Sequence, residues 1–403
     1  MNSAEAARRF LAQLRLQEQA FDGTAVIDEA LVRRGAEWYL RQAMTPDEFN
    51  NDNFHTLADE WISNGVDTVD NFWDTHFAPV MQQIEGAANT LFAGLGLEEN
   101  RPIIGHMATG NLNAVTMPVP GDPGSYLVVM EDEVISFAAF TCTVIAGTVP
   151  HGPAEQDKIT LTLGASKVEE RIAANSKLVD RFTELVLRYA VIGNLRGVQL
   201  PTLSPGRLRL SEMLITAVDH FVVGHEYAHV LMGHLDDADV RKGLPPIPDV
   251  ESVVYSWMQE ADADLLGASL AMVAVKQHDY ATGLAGICIF FGMLDVMERA
   301  VSLLQTGAED SRQLGTHPPA SIRKQFLYEG LPRLTGGDPR VAEQLKTALE
   351  VADSFAEIID LLWDRIKPIV VGLHAQGVSA AHKWRTIPKK VEPERDGSVS
   401  LRG

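Results

Sequence analysis

The stretch from Ser211 to Gly233 constrains the fold of this chain more than any other segment. Its apolar residues recur at helical spacing, and they are Leu214, Val218, Phe221, Ala228 and Met232. This periodicity predicts a single helix with Ser211 as its N-cap and Gly233 as its stop. Because the apolar residues share one face, the helix must bury that face against other elements of a core.

Two histidines continue the same apolar face. His225 and His229 belong to the segment HEYAH and lie four residues apart, so both imidazoles project from one side of the helix. Two buried imidazoles are hard to satisfy unless they share a partner, and zinc is a partner that prefers nitrogen ligands. We therefore expect both to bind Zn²⁺, with Glu226 as the general base for a metal-activated water. The alternative is a pair of core histidines satisfied by neighbouring hydrogen bonds.

The third metal ligand is expected from the next predicted helix, which runs from Ser252 to Val275 after a loop. Glu260 and Asp264 lie four residues apart there, so Glu260 can complete the ligand set and Asp264 can accept the second N–H of a ligand histidine. The alternative is a solvated acidic face that includes Asp262. His234 follows the end of the first helix, and we expect it to be an ordinary terminal histidine facing the helix dipole.

Length and composition exclude several classes of protein. The chain has 403 residues, 46% of them hydrophobic, and a formal net charge of -20, which argues against a nucleic-acid partner. The most apolar window, Ala281 to Leu294, is shorter than the roughly 20 residues that span a bilayer, so it predicts a buried helix and no membrane span. Cys142 and Cys288 lie in apolar stretches and are expected to be reduced core residues. These features predict a cytoplasmic location.

The coarse pattern predicts an α+β fold that is mostly α. Prolines and glycines separate β-prone pieces between Arg101 and Pro153, of which Tyr126–Met130 is the clearest strand. The predicted organisation has four parts: an N-terminal helical region at 1–100, a core at 101–335, C-terminal helices at 336–383 and a flexible tail at 384–403.

The two helical motifs resemble those of the gluzincin zinc metallopeptidases of the HtpX and CAAX prenyl endopeptidase type. The segment EADADLLG matches the family's third-ligand motif at Glu260, Asp264 and Gly267. Asn113-Ala114 is similar to its Asn-Ala motif ahead of an edge strand, and Thr316-His317-Pro318-Pro319 with Arg323 is similar to its late T-H-P-P-x-x-x-R motif. The resemblance covers about residues 101 to 330.

This resemblance implies a zincin-like core and a zinc-dependent endopeptidase acting on peptides or proteins. It implies that His317 stabilises the oxyanion and that Asn113 contacts the substrate, with Arg323 anchoring the His317 loop through an ion pair. The strand Tyr126–Met130 is expected to be the edge strand that binds an extended substrate. Two alternatives stay open: a regulatory or binding protein that keeps a structural zinc site, and a zinc hydrolase of a non-peptide amide.

Overall fold

A small sheet and a set of long helices make up the described part of the chain. The computed structural model describes residues 6–14, 80–90, 102–107, 112–122, 124–150, 161, 163–195, 198, 200–235, 239–244, 247–254, 257–274, 280–309, 318–381, 391–393 and 399–401. Residues 6–14 and 80–90 are helical. The prediction of a mostly helical chain with a small sheet is confirmed over these residues.

The sheet has three strands, β1 (Ile103–Met107), β2 (Ala114–Pro118) and β3 (Tyr126–Glu131). Their order is β1–β3–β2, with β1 parallel and β2 antiparallel to β3. The prediction that Tyr126–Met130 forms an edge strand is therefore wrong. Its unbroken apolar run suits a central strand buried on both faces, which β3 is. The edges of this sheet are β1 and β2.

The sheet lies between a short helical segment and the main helical body. Val115 and Val129 pack with Leu11 and Leu14 of the segment at 6–14. Residues one position along the strands, such as Val128, belong to the large core on the other side. This alternation is the period of two that a pleated strand imposes.

Eight helices follow the sheet in the described part of the chain. They are α1 (Asp132–Thr148), α2 (Ala165–Ala173), α3 (Ser176–Leu187), α4 (Pro205–Leu231), α5 (Trp257–Ala274), α6 (Tyr280–Thr306), α7 (Ala320–Gly330) and α8 (Pro339–Ala375). A π-helical turn, Arg188–Ile192, extends α3, and a 3-10 turn, Leu331–Thr335, links α7 to α8. Helix α6 packs along α8 and against α4, while α4 packs against α5 and α1.

Helix α4 begins earlier than the apolar pattern predicts. Its N-cap is Ser204 and Pro205 occupies the first turn, where a missing N–H costs nothing. Ser211 is therefore inside the helix, buried, with its hydroxyl 3.0 Å from that of Thr143. Gly233 follows the end of the helix with a φ of 67°, as its predicted role as the stop requires.

Helix α5 begins later than predicted. The predicted loop and the predicted first helical residues form a hairpin of β4 (Asp239–Leu244) and β5 (Ile247–Val254), and β5 approaches β2. The neighbouring β-branched residues Val253 and Val254 favour this strand over a helical start.

Helix α1 and the C-terminal strands also differ from the sequence-based prediction. Helix α1 lies where only β-prone pieces are expected, and it is apolar on all sides, which hides its periodicity. In the predicted tail, β6 (Val391–Pro393) pairs antiparallel with β7 (Val399–Leu401).

One hydrophobic cluster joins most of the described helices. It includes residues from Val80 to Ala380 and contains both free cysteines, which are buried as expected. The predicted boundaries near residues 100 and 335 therefore do not separate distinct cores within the described part of the chain, and the division into domains stays a prediction. The window Ala281 to Leu294 lies in buried α6, as predicted. No helix among the described residues has the length and apolarity needed to cross a membrane.

Candidate metal centre

Close backbone contact between α4 and α5 positions the candidate site. Gly224 and Gly267 meet where the two helices pack. A Cβ on Gly267 would lie 2.7 Å from the Cα of His225, and one on Gly224 would lie 2.9 Å from the carbonyl oxygen of Gly267. Only glycine permits this approach. The contact brings the histidine-bearing face of α4 against Glu260 and Asp264 of α5.

The structure brings the three predicted ligands together. The Nε2 atoms of His225 and His229 are 3.2 Å apart, and the Glu260 carboxylate lies 3.6 Å from the first and 3.7 Å from the second. All three side chains are buried, and their ligand atoms lie within 4.8 Å of one another. This group can hold a metal ion.

The Glu260 carboxyl is sensitive to the charge that surrounds it. Burial raises the pKa of Glu260 to about 7, against the opposing influence of the Arg323 guanidinium. A cation bound between the three side chains would favour the ionised carboxylate, since an opposite charge at close range lowers a carboxyl pKa. A bound cation would therefore offset part of the cost of burying the ionised Glu260 carboxylate.

The outer nitrogen of His225 faces an ion pair. Its Nδ1 lies 2.9 Å from Oδ1 of Asp264, and Asp264 accepts two hydrogen bonds from Arg323, at 2.6 and 2.9 Å. Burial opposes ionisation of Asp264, but the Arg323 charge and its hydrogen bonds hold the pKa of Asp264 at about 2. Burial likewise opposes the charged form of His225, yet Asp264 raises the His225 pKa overall. Asp264 thus occupies the position expected of a carboxylate that orients a ligand histidine.

Arg323 reaches this ion pair from α7. Glu298 of α6 accepts a 3.0 Å hydrogen bond from the backbone N–H of Ala320, the first residue of α7. Burial raises the pKa of the Glu298 carboxyl well above its usual range. Arg323 forms its ion pair with Asp264, at 2.6 Å, and so lies against the group that can hold a metal. The predicted anchoring of the His317 loop lies outside the described residues and stays a prediction.

The outer nitrogen of His229 faces another imidazole. Its Nδ1 lies 3.0 Å from Nδ1 of His234, which is at the C-terminal end of α4 as expected but is buried against His229. His220, on the same helix, is also buried, and its ring contacts the Thr216 carbonyl oxygen and the Gln83 side chain. Its position off the ligand face predicts a solvated side chain, and that prediction is wrong.

Glu226 is joined to the edge strand β2. The Thr116 hydroxyl donates to Oε2 of Glu226 at 2.7 Å and also lies 3.0 Å from the Glu226 carbonyl oxygen. Burial raises the pKa of the Glu226 carboxyl, while the nearby His225 and the Thr116 hydrogen bond lower it in part. Sequence reasoning missed Thr116, because the linear sequence does not link this strand residue to α4.

The remaining predicted site residues are less closely tied to the cluster. Asn113 is half-buried directly before β2, where its carbonyl oxygen accepts the N–H of Glu131. His317 lies outside the described residues. Asp262 is exposed, whereas Glu260 and Asp264 are buried, so the alternative of a solvated acidic face holds for Asp262 alone among the three.

Comparisons with protein-family models, with curated proteins and with solved structures find no match for this chain.

Proposed function

We propose that this protein is a zinc-dependent endopeptidase with a zincin-like core, in which His225, His229 and Glu260 bind Zn²⁺ and Glu226 is the general base. The observation that carries the proposal is the convergence of three ligand side chains: the Nε2 atoms of His225 and His229 are 3.2 Å apart, and the two carboxylate oxygens of Glu260 lie 3.6 Å from the first and 3.7 Å from the second. Ligands about 2.0 to 2.2 Å from a tetrahedral zinc ion are separated by about 3.3 to 3.6 Å. The residues present therefore fit zinc.

The Glu226 carboxylate, which directly follows the ligand His225 in the sequence, favours a catalytic site over a purely structural one. Zinc held there supplies a Lewis acid that polarises a carbonyl and lowers the pKa of water. Glu226 accepts the proton of the attacking water and passes it to the leaving amine. Its raised pKa suits the first of these transfers, because a carboxylate with a raised pKa is a stronger base toward the attacking water. In this proposal His317 stabilises the developing oxyanion, as its place in the T-H-P-P motif implies.

The position of β2 supports an extended peptide as the substrate. This strand is at the edge of the sheet, and Thr116 connects it to Glu226. A peptide paired with an edge strand gains main-chain hydrogen bonds without a requirement for particular side chains. Asn113, at the start of β2, is then a substrate-contacting residue. The substrate edge predicted for Tyr126–Met130 thus moves to Ala114–Pro118.

The substitution Glu226→Gln tests the assignment. It removes the base and retains the shape, so we expect cleavage of a quenched fluorescent peptide library to fall at least about 100-fold. Zinc content, measured by elemental mass spectrometry, should stay unchanged. Glu212→Gln, a half-buried glutamate on the same helix, is the matched control and should retain wild-type turnover.

Each other outcome has a distinct meaning. Cleavage that survives Glu226→Gln contradicts the mechanism. Zinc without any cleavage by the wild-type protein favours a regulatory or binding protein with a structural zinc site. Hydrolysis confined to small non-peptide amides would replace the substrate class and keep the metal chemistry.

A further inference from the structure

We propose that His234 is a positioning residue of the metal centre, whose Nδ1 accepts the proton on Nδ1 of His229 and keeps Nε2 of His229 available to the metal. This inference rests on the metal-binding part of the proposed function and not on peptide cleavage. It assigns a role to a histidine whose sequence position indicates only a helix end.

The contact between the two rings carries the inference. The Nδ1 atoms of His229 and His234 are 3.0 Å apart, a normal hydrogen-bond length. Their ring centroids are 5.1 Å apart with the planes at 65°. His234 is held there by its own backbone, since its N–H donates to the His229 carbonyl oxygen at 3.0 Å.

This geometry excludes His234 as a ligand of the same ion. The two nitrogens of an imidazole point to opposite sides of the ring, so a group bonded to Nδ1 lies away from a metal at Nε2. The Nε2 atom of His229 faces His225 and Glu260, whereas its Nδ1 faces His234. His234 therefore acts on the metal only through His229.

Proton placement then follows from the chemistry of the ring. A histidine that binds a metal through Nε2 carries its single proton on Nδ1, which makes Nδ1 a donor. His234 must present an unprotonated Nδ1 to accept that proton, so its own proton lies on Nε2. A ligand histidine usually donates this proton to a carboxylate, a backbone carbonyl or a water. Here a neutral imidazole takes that place.

Zinc affinity of the full chain tests the inference, measured by competition with a chromophoric chelator. His234→Ala removes the acceptor and should weaken zinc binding about 10- to 100-fold, the usual effect of losing such a partner. His234→Asn places an amide oxygen near the position of Nδ1 and should recover most of the affinity. His374→Ala is the control, because His374 is also a helix-terminal histidine and bonds only a backbone carbonyl, that of Leu304, among its described hydrogen bonds. It should bind zinc as the wild type does.

A second readout does not depend on any substitution. In the zinc-loaded protein with ¹⁵N-labelled histidine, NMR should find the His234 proton on Nε2 and the His229 proton on Nδ1. A proton on Nδ1 of His234 overturns the inference, even if His234→Ala fails to fold.

The outcomes separate this inference from the proposed function. Equal zinc affinity of His234→Ala and His374→Ala overturns the role of His234 and leaves the metal site intact. A His234→Asn variant as weak as His234→Ala overturns it as well. Zinc binding that depends on His234 in a protein without peptidase activity supports this inference and contradicts the proposed enzyme. A wild-type protein that binds no zinc contradicts both.

Discussion

His225 and His229 lie one turn apart on α4 and present the same nitrogen to the same point, yet their outer nitrogens meet different chemistry. His225 faces Asp264, which is paired with Arg323, so its support comes from two other helices, α5 and α7, and includes two buried charges. His229 faces His234, which is neutral in the arrangement proposed above and follows the end of the same helix. One support is charged and non-local, and the other is local.

Because of this difference, we expect the two sides to affect different properties, the stability of the fold and the affinity for zinc. Removing one member of a buried ion pair leaves the other charge uncompensated, which costs the folded state heavily. Removing a neutral acceptor costs one hydrogen bond. The His225 side is therefore expected to contribute to the stability of the whole protein, and the His229 side mainly to zinc affinity.

The largest effect is expected from Asp264→Ala. This change leaves Arg323 buried without its main partner, and we expect the free energy of unfolding to fall by about 3 to 5 kcal/mol. Asp262→Ala, an exposed aspartate two positions away, is the control and should stay within about 0.5 kcal/mol of the wild type. Urea unfolding followed by circular dichroism measures both. Equal stability of the two variants would contradict the claim that the buried Asp264–Arg323 pair stabilises the protein.

An intermediate effect is expected from Thr116→Val. The valine keeps the volume but leaves the buried Glu226 carboxylate without the hydroxyl that donates to it, at a cost of about 1 to 3 kcal/mol. Thr116→Ser should restore most of this loss.

Thr141→Val is the matched control for the valine substitution. Thr141 is also fully buried, and its hydroxyl oxygen has no hydrogen-bond partner among the described residues. Its replacement should be neutral or stabilising. A Thr116→Val variant that behaves like Thr141→Val would show that the contact between β2 and Glu226 contributes nothing.

Of the substitutions considered, Glu298→Gln is expected to change the free energy of unfolding least, and at acid pH hardly at all. Burial raises the pKa of Glu298 well above its usual 4.5, so the stability that this carboxyl contributes is fully present below about pH 4.5 and is lost as the pH rises. The amide keeps an acceptor for the N–H of Ala320 and does not titrate. It should match the wild type within about 0.5 kcal/mol at pH 4.5 and become the more stable protein toward neutral pH.

The same unfolding experiment at several pH values measures this trend. Glu329→Gln, which changes an exposed carboxylate on α7, is the control. The opposite trend is a wild type that becomes more stable than Glu298→Gln as the pH rises. It would show that Glu298 is an ionised partner of Arg323. The His225 side would then contain one more charge than described above.

The sequence predicts the parts of this site that depend on spacing within a helix. His225 and His229 share a face because they are four residues apart, and the same holds for Glu260 and Asp264. Gly267 is singled out in the sequence only as part of the family motif, and the structure adds that it lies at the close helix contact between the two pairs. The mostly helical character follows in the same way from periodicity.

The parts that sequence reasoning missed depend on contacts between distant segments. The apolar run of Tyr126–Met130 suits a central strand, but which strands flank it depends on pairing between separate segments, and the edge position is implied only by the family resemblance. Thr116 reaches Glu226 only because β2 packs on α4. His234 follows a helix end, where the face that a side chain presents can no longer be read from spacing.

The metal content of the purified protein tests the central claim most directly. Elemental mass spectrometry should find about one zinc ion per chain in the wild type, and the amount should fall sharply in Glu260→Ala, which removes the carboxylate ligand. A wild-type protein that holds no metal, even after zinc is added back, would contradict the three-ligand site and the function proposed from it.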